Sequence, residues 1–382
     1  MGQFKHKGLL MSLRYTLSAG ALCLFSAPAF AAPITITDIA GREVTLEAPV
    51  DRVILGEGRQ IFFAAVLDGE DPFERVVGWR DDFREAAPES YEAYAEKFPE
   101  IADIPTFGGF KDGTFDIEQA VSLTPDVMIM NLEAKAATDE AGYEEKLAKV
   151  GIPIVYVDFR EKPFEHTAKS MEIIGKLFGE EERAADFNDF YQEQIARVTD
   201  VIDAQNDLER PLVFVERAGG YSEDCCMSFG SGNFGRMVEL AGGQNMAAPF
   251  IPGTFGTVNA EQVIASNPNQ IIVTGGNWEA YVPGGAWVGV GPGSDEAQAR
   301  AKLQALMERP AFTGVKAVEA GEVHAIWHQF YNSPYSFVAV QRLATWLHPE
   351  LFADLDAEAT LKELHERFLP VDYRPGYWVS LK

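Results

Sequence analysis

A repeated unit constrains this 382-residue chain more than any other feature. Glu118-Gln119-Ala120-Val121-Ser122-Leu123-Thr124-Pro125-Asp126, followed by four apolar residues, reads against Glu261-Gln262-Val263-Ile264-Ala265-Ser266-Asn267-Pro268-Asn269, 143 positions later. Each copy opens a short helix on Glu-Gln, places proline seven residues on, and runs into a strand. Proline ends the helix because it has no amide donor and crowds the residue before it. Two such copies predict two similar lobes. Other short apolar runs fit the plan, at 53–55, 76–77, 154–157, 212–215 and 323–326. Helical patterns lie between them, and that alternation predicts an α/β protein with parallel sheets. Residues 34–47 alternate apolar and polar around Ala40-Gly41 and predict a hairpin.

The stretch 163–206 differs. Met171, Ile174, Leu177, Phe178, Phe187, Phe190, Tyr191, Ile195, Val198 and Ile202 recur at helical spacing, with no proline between Pro163 and Pro211. This predicts a long helix, with one break near Gly179-Glu180, acting as a rigid strut between the lobes. The expected division is a leader at 1–31, a first lobe at 34–161, a connecting helix at 162–208 and a second lobe at 209–382.

The leader has the marks of an export signal. Lys5, Lys7 and Arg14 precede an apolar stretch at 15–25, and Ala29-Phe30-Ala31 supplies the small-x-small cleavage rule. The apolar run is shorter than the ~20 residues that span a bilayer. Met11 is an alternative start. Cys23 follows Gly20-Ala21-Leu22, which departs from the order expected for lipid attachment. The expected location is therefore the periplasm.

The net charge of −26 repels nucleic acid phosphates and anionic lipid heads, which argues against both as partners. Three cysteines are too few for a disulfide-stapled scaffold. Cys225 and Cys226 are adjacent, and an exported chain could hold them as a vicinal disulfide or as a thiol pair for a soft metal. Gly56-Glu57-Gly58-Arg59 has the look of a dinucleotide loop, but Ile61 stands at the third glycine position and Glu57 would repel a pyrophosphate. No Gly-x-Ser-x-Gly elbow is present. An enzyme, such as a secreted hydrolase, is thus a distant alternative.

The order of these pieces carries a resemblance. Thr37-Asp38-x-x-Gly41-Arg42-Glu43-Val44-Thr45-Leu46, Arg52-Val53-Ile54, the two Glu-Gln…Pro units, Leu240-Ala241-Gly242-Gly243-Gln244-Asn245 and Ala317 to Val323 follow one another across 34–350. This resembles the periplasmic solute-binding proteins of ABC importers for iron–siderophore complexes, haem and cobalamin. The resemblance implies two Rossmann-like lobes with central, mostly parallel sheets, bridged by a long helix. It implies a ligand held between them, delivery to a permease dimer in the inner membrane, and no chemistry on the ligand or bound cofactor. A monomer binding a ferric siderophore or related iron complex is expected; haem, cobalamin or a molybdate-type oxyanion are alternatives on the same fold. Glu118 and Glu261 match the family's docking acids, which meet permease arginines; the other reading is helix capping.

In such folds the loops leaving the carboxyl ends of parallel strands form the site. That rule points to Arg59, Trp79, Arg80 and Asn131 in the first lobe. In the second it points to Arg217, Tyr221, Trp278, Trp327, His328, Phe330 and Tyr331. Guanidinium binds oxygen anions in bidentate fashion, and aromatic side chains wall or stack on a bulky ligand. His328 and Tyr331, with Tyr335 nearby, are candidates to complete the coordination of chelated iron. No His spacing suggests a zinc site. Protein exported from the full gene is expected to begin within two residues of Ala32; an intact mass that retains Met1 or Met11 would overturn the periplasmic expectation.

Overall fold

The computed structural model describes residues 1–3, 32–111 and 113–382. Lys5, Lys7, Arg14, Cys23 and the Ala29-Phe30-Ala31 motif lie outside the described residues. The alternating segment folds as an antiparallel hairpin of β1 (Ala32–Thr37) and β2 (Glu43–Ala48), with Ile34 opposite Leu46. Then β3 (Val53–Leu55), β4 (Val76–Arg80), β5 (Thr106–Phe107), β6 (Val127–Asn131) and β7 (Ile154–Val157) form a wholly parallel sheet. Its order is β5-β4-β3-β6-β7. Every residue of β3, β6 and β7 is buried, as a parallel sheet covered on both faces requires.

The second half opens with β8 (Leu212–Glu216). It continues through β9 (Met227–Phe229), β10 (Gln244–Asn245), β11 (Phe255–Thr257), β12 (Gln270–Gly275), β13 (Val323–Trp327) and β14 (Trp378–Ser380). β9 and β11 pair as a small antiparallel ribbon. The rest form a sheet in the order β10-β8-β12-β13-β14, parallel except for β14. In both sheets the strand order reverses once, between β3 and β6 and between β8 and β12. Loops leaving neighbouring strands diverge at such a point and open a crevice at the strands' carboxyl ends.

The repeat holds at atomic detail. Asp116 caps the helix Ile117–Ser122 and Asn259 caps Ala260–Ser266, each accepting from the amide of the following glutamate. Thr124 and Asn267, just before the prolines, both take left-handed backbone at φ 45° and 46°. After the prolines, Asp126 accepts from the Asp51 and Arg52 amides at 2.9 Å, and Asn269 accepts from the Leu212 amide at 2.8 Å. These bonds set β6 beside β3 and β12 beside β8. The repeat therefore builds the reversal point of each sheet.

The single strut expected over 163–206 is corrected. Two helices, Pro163–Phe178 and Glu181–Asp203, fold back on one another. Gly179 ends the first in left-handed conformation at φ 75°. Asn188 Nδ2 then donates to the Ala168 carbonyl at 2.9 Å, and the Tyr191 hydroxyl meets the Pro163 carbonyl. Only the second helix, roughly 34 Å long at about 1.5 Å per residue, links the two halves. Near its start Arg183 donates to the Val66 carbonyl; further along, Phe190 packs edge-on against Phe337 and Gln341 donates to the Gln194 carbonyl.

From Ala32 to Lys382 the chain is one compact body. Before β14 joins the second sheet, the stretch 368–374 crosses to the connecting helix and the first half. Phe368 packs on Phe187 and Phe190, Lys97 Nζ donates to the Pro370 carbonyl at 2.7 Å, and Arg374 pairs with Glu96. Among the described residues no helix is long and apolar enough to cross a membrane.

Gly175 sits where the two helices touch. A Cβ there would lie 2.6 Å from the Ala184 Cβ. Glycine to alanine inside a helix ordinarily gains up to about 1 kcal/mol. Here Gly175→Ala is expected to lose about 1–3 kcal/mol through overpacking. Urea unfolding checks the sign, and a gain in stability would refute the close packing of this hairpin.

Candidate ligand-binding cleft

The carboxyl ends of the two sheets face each other, and their loops meet in a buried polar cluster. Tyr331, in the loop after β13, is at its centre. Its hydroxyl accepts from Arg59 Nη1 at 2.6 Å, and its ring packs against the Arg160 and Arg59 guanidiniums with centroid distances of 5.0 and 5.6 Å. Arg59 follows β3 and Arg160 follows β7. Arg59 Nε donates to Asp82 at 2.5 Å, and Arg59 Nη1 also reaches Gln329 Oε1 at 3.2 Å. Gln329 in turn donates to the Ala86 carbonyl at 2.7 Å, tying the second half to the first.

Glu57 lies beneath the arginines. Its Oε2 accepts from Arg160 Nη2 at 2.5 Å, Asn332 Nδ2 at 3.0 Å and Arg59 Nη2 at 3.4 Å. Burial alone would raise this carboxyl, yet the Arg160 and Arg59 charges hold it down at about 2. Asp82 goes the other way, because burial pushes its carboxyl up despite Arg59. Arg160 also pairs with Glu133, which holds Lys111.

Asp158 fixes the loop that presents Arg160. It follows β7 and is buried. Its carboxylate accepts from the amides of Arg160, Glu161 and Lys162 at 2.8–3.0 Å and pairs with His166 Nδ1 at 2.7 Å. Asn233, at the start of the helix Phe234–Leu240, donates to the carbonyls of Arg160 and Tyr331. One side chain thus binds loops from both halves. Beside it a hollow of about 560 Å³ opens, lined by Lys162, Ser231, Asn233, Arg236 and Thr254 among others. That volume suits a small ligand.

The second half adds a cation and an aromatic wall. Arg217, after β8, lies over the Phe255 ring at 5.1 Å, and its Nε is buried without a hydrogen-bond partner. Among the described residues no carboxylate pairs with it. His328 Nδ1 meets Thr274 Oγ1 at 2.8 Å, and its ring lies 4.3 Å from the Tyr331 ring. Burial, with the charges of Arg217, Arg59 and Arg160, holds this imidazole well below its ordinary value, so it is neutral at pH 7. Trp278 packs edge-on against His328, and the exposed Tyr221 packs on Trp278 at 5.8 Å.

The structure therefore gathers Arg59, Arg217, Tyr221, His328 and Tyr331 in one connected cluster, with Asn131 beside Glu57. Trp79 and Trp327 are corrected. Both are last or near-last strand residues whose rings turn into the core. Trp79 lies against Phe73 and Phe83, and Trp327 against Phe62, Phe330 and Tyr377. Arg80 lies beside Asp82 and acts on its carboxylate. Tyr335 is a tie between the halves, donating to the Phe62 carbonyl at 2.7 Å. Arg160, Asn233 and Asn332 went unseen in the sequence. The strand-end rule reaches Arg160, three residues beyond β7, but the stretch before Pro163 reads as the run-up to a helix.

Glu118 and Glu261 are exposed in the first turns of their helices. The caps there are Asp116 and Asn259, so neither glutamate is needed for capping. The Cys225 and Cys226 sulfurs are joined directly, just before β9.

The profile of the periplasmic binding protein family matches residues 86–328. The TroA-like periplasmic binding protein FepB of Veillonella parvula is 31% identical, with a TM-score of 0.82 over 92% of this chain and 100% of that one. The molybdate-binding protein MolA of Haemophilus influenzae is 23% identical over 92% of this chain and 96% of its own length. Helicobacter pylori CeuE, solved as a nickel–histidine complex, shares the fold at 16% identity and a TM-score of 0.67, covering 89% of this chain and 97% of CeuE. The chain belongs to the periplasmic binding proteins, which deliver small-molecule ligands to ABC transporter permeases.

Proposed function

We propose that this chain is exported to the periplasm, with its leader cut near Ala31, and captures a ferric siderophore or related anionic iron complex in the cleft between its sheets. The observation that carries this reading is the concentration of Arg59, Arg160 and Arg217 at the carboxyl ends of both sheets in a chain of net charge −26. Guanidinium binds the oxygens of an iron chelate in bidentate fashion. Tyr221 and Trp278 offer an aromatic wall to a bulky ligand. His328, held neutral, and Tyr331 are the side chains that would meet the metal if the chelator leaves positions open. The protein acts as a monomer with no cofactor of its own and docks on the permease dimer through Glu118 and Glu261. A molybdate-type oxyanion is the second reading, favoured by the likeness to MolA over 92% of the chain. A neutral corrin would leave the guanidiniums without a role.

Tryptophan fluorescence titration against ferric siderophores, haem, cobalamin and molybdate tests the reading. Ferric siderophore is expected to bind most tightly, and Arg217→Ala to cost about 1.5–3 kcal/mol, the range for a hydrogen bond to an ionised group. An unchanged affinity for the tightest ligand would mean that the second half binds through another face. Docking is tested separately. Glu118→Lys with Glu261→Lys is expected to abolish uptake in cells while leaving the affinity of purified protein intact. Loss of ligand affinity in that double variant would overturn the docking assignment.

A further inference from the structure

One oxygen atom in the cleft collects three donors. Glu57 Oε2 accepts from Arg160 Nη2, Asn332 Nδ2 and Arg59 Nη2 at 2.5, 3.0 and 3.4 Å. The donors come from three separate loops, after β7, β13 and β3, and so from both halves. Arg59, Arg160 and Asn332 are 8, 5 and 5% exposed. Glu57 thereby neutralises both arginines and has its lone pairs met while buried. Convergent charged donors from preformed loops are also how a protein holds a ligand oxyanion.

The backbone around Glu57 has anchors besides its carboxylate. Its amide meets Gln60 Oε1 at 3.2 Å, and the Gly58 amide donates to Asp82 Oδ1 at 2.6 Å. Gly56 and Gly58 are pressed so close to Met130 and the Arg80 carbonyl that neither position has room for a Cβ. The loop is therefore held by more than the Glu57 carboxylate. Arg160 Nε, buried and unpartnered, marks further donor capacity beside the same oxygen.

We infer that Arg59, Arg160 and Asn332 form an oxyanion cradle, and that Glu57 is its resident occupant, exchanged for an oxygen of the ligand on binding. The inference rests on the reading that the ligand binds in this cleft. The class of ligand group is an anionic oxygen, carried by a ferric chelate or by a free tetrahedral oxyanion. The exchange is neutral in charge: one carboxylate swings toward water as one anionic oxygen enters. A neutral ligand cannot take part, because both guanidiniums would lose a counter-charge while buried. Glu57 also lowers apparent affinity, since the cradle is free only in the fraction of molecules where it has swung out.

The test uses two probes, molybdate and a ferric tris-catecholate complex, titrated calorimetrically into the mature protein. Glu57→Gln is expected to bind at least one probe about tenfold more tightly than the parent, the gain from a cradle that was about nine-tenths self-occupied. Glu57→Asp keeps the charge, and hence the fold, but reaches less far, and is expected to show a smaller gain. Asp68→Asn is the control. It breaks the half-buried Asp68–Arg75 pair outside the cleft and is expected to change neither affinity. A gain for molybdate alone marks a free oxyanion, and a gain for the chelate alone marks an iron complex. Both outcomes support the cradle. No gain in either Glu57 variant, including no binding at all, overturns it, as does an equal gain in Asp68→Asn. Arg217→Ala run with the same probes separates the two readings. Weaker binding there without a Glu57 gain leaves the cleft standing and removes the cradle.

Discussion

Two guanidiniums buried between two sheets must find counter-charge without water, and the way they do so organises the cleft. Taking an ion out of water costs several kcal/mol, which only close, well-aligned partners offset. Arg59 has Asp82, and Arg160 has Glu133; Glu57 is shared between the two arginines. Tyr331 fills the space above them, accepting from Arg59 and giving its ring face to both cations. The partners lie on different loops, so the cluster holds its geometry only if both sheets present their carboxyl ends correctly. The polar centre and the fold therefore depend on one another.

The repeat supplies that presentation. A left-handed residue, a proline and an Asp or Asn anchor β6 beside β3 and β12 beside β8. These are the points where each sheet reverses its order. Glu57 leaves β3, Asn131 ends β6, Arg217 leaves β8 and Thr274 lies on β12. These four residues of the cleft are thus drawn from the same place in each half, and the loops after β7 and β13 beside them supply the rest.

Much of this was legible because burial writes itself into short apolar runs. The runs at 127–130 and 271–273 appear as β6 and β12, since a strand covered on both faces has no polar alternation to confuse it. β5 and β10, two residues each, carry no period to read. Gly179 was visible as a break, but its left-handed turn sends the chain back on itself, and periodicity is blind to direction. At the site, charge was easier to place than aromaticity. Arg59 and Arg217 stand at strand ends where only a cleft can hydrate or pair them. Trp79 and Trp327 stand at strand ends too, but a strand's last side chain faces either way, and a large apolar ring goes to the core. Asn332 and Asn233 act through hydrogen bonds to groups distant in sequence, which leaves no trace in composition or spacing.

The same ties limit how the cleft can open. Besides the helix Glu181–Asp203, the halves share the Tyr335 bond to the Phe62 carbonyl, the Gln329 bond to the Ala86 carbonyl and the passage of the C-terminal segment over Lys97 and Glu96. The first two are buried, and leaving such a group unpaired costs about 1–3 kcal/mol. A wide hinge motion would exchange all of these bonds for bonds to water at once, at a net cost of about 0.5–1.5 kcal/mol each. Rotation of one carboxylate breaks three bonds to a single oxygen, and an incoming anion restores all three. In a body tied at this many points, ligand exchange by side-chain substitution costs less than exchange by separating the halves.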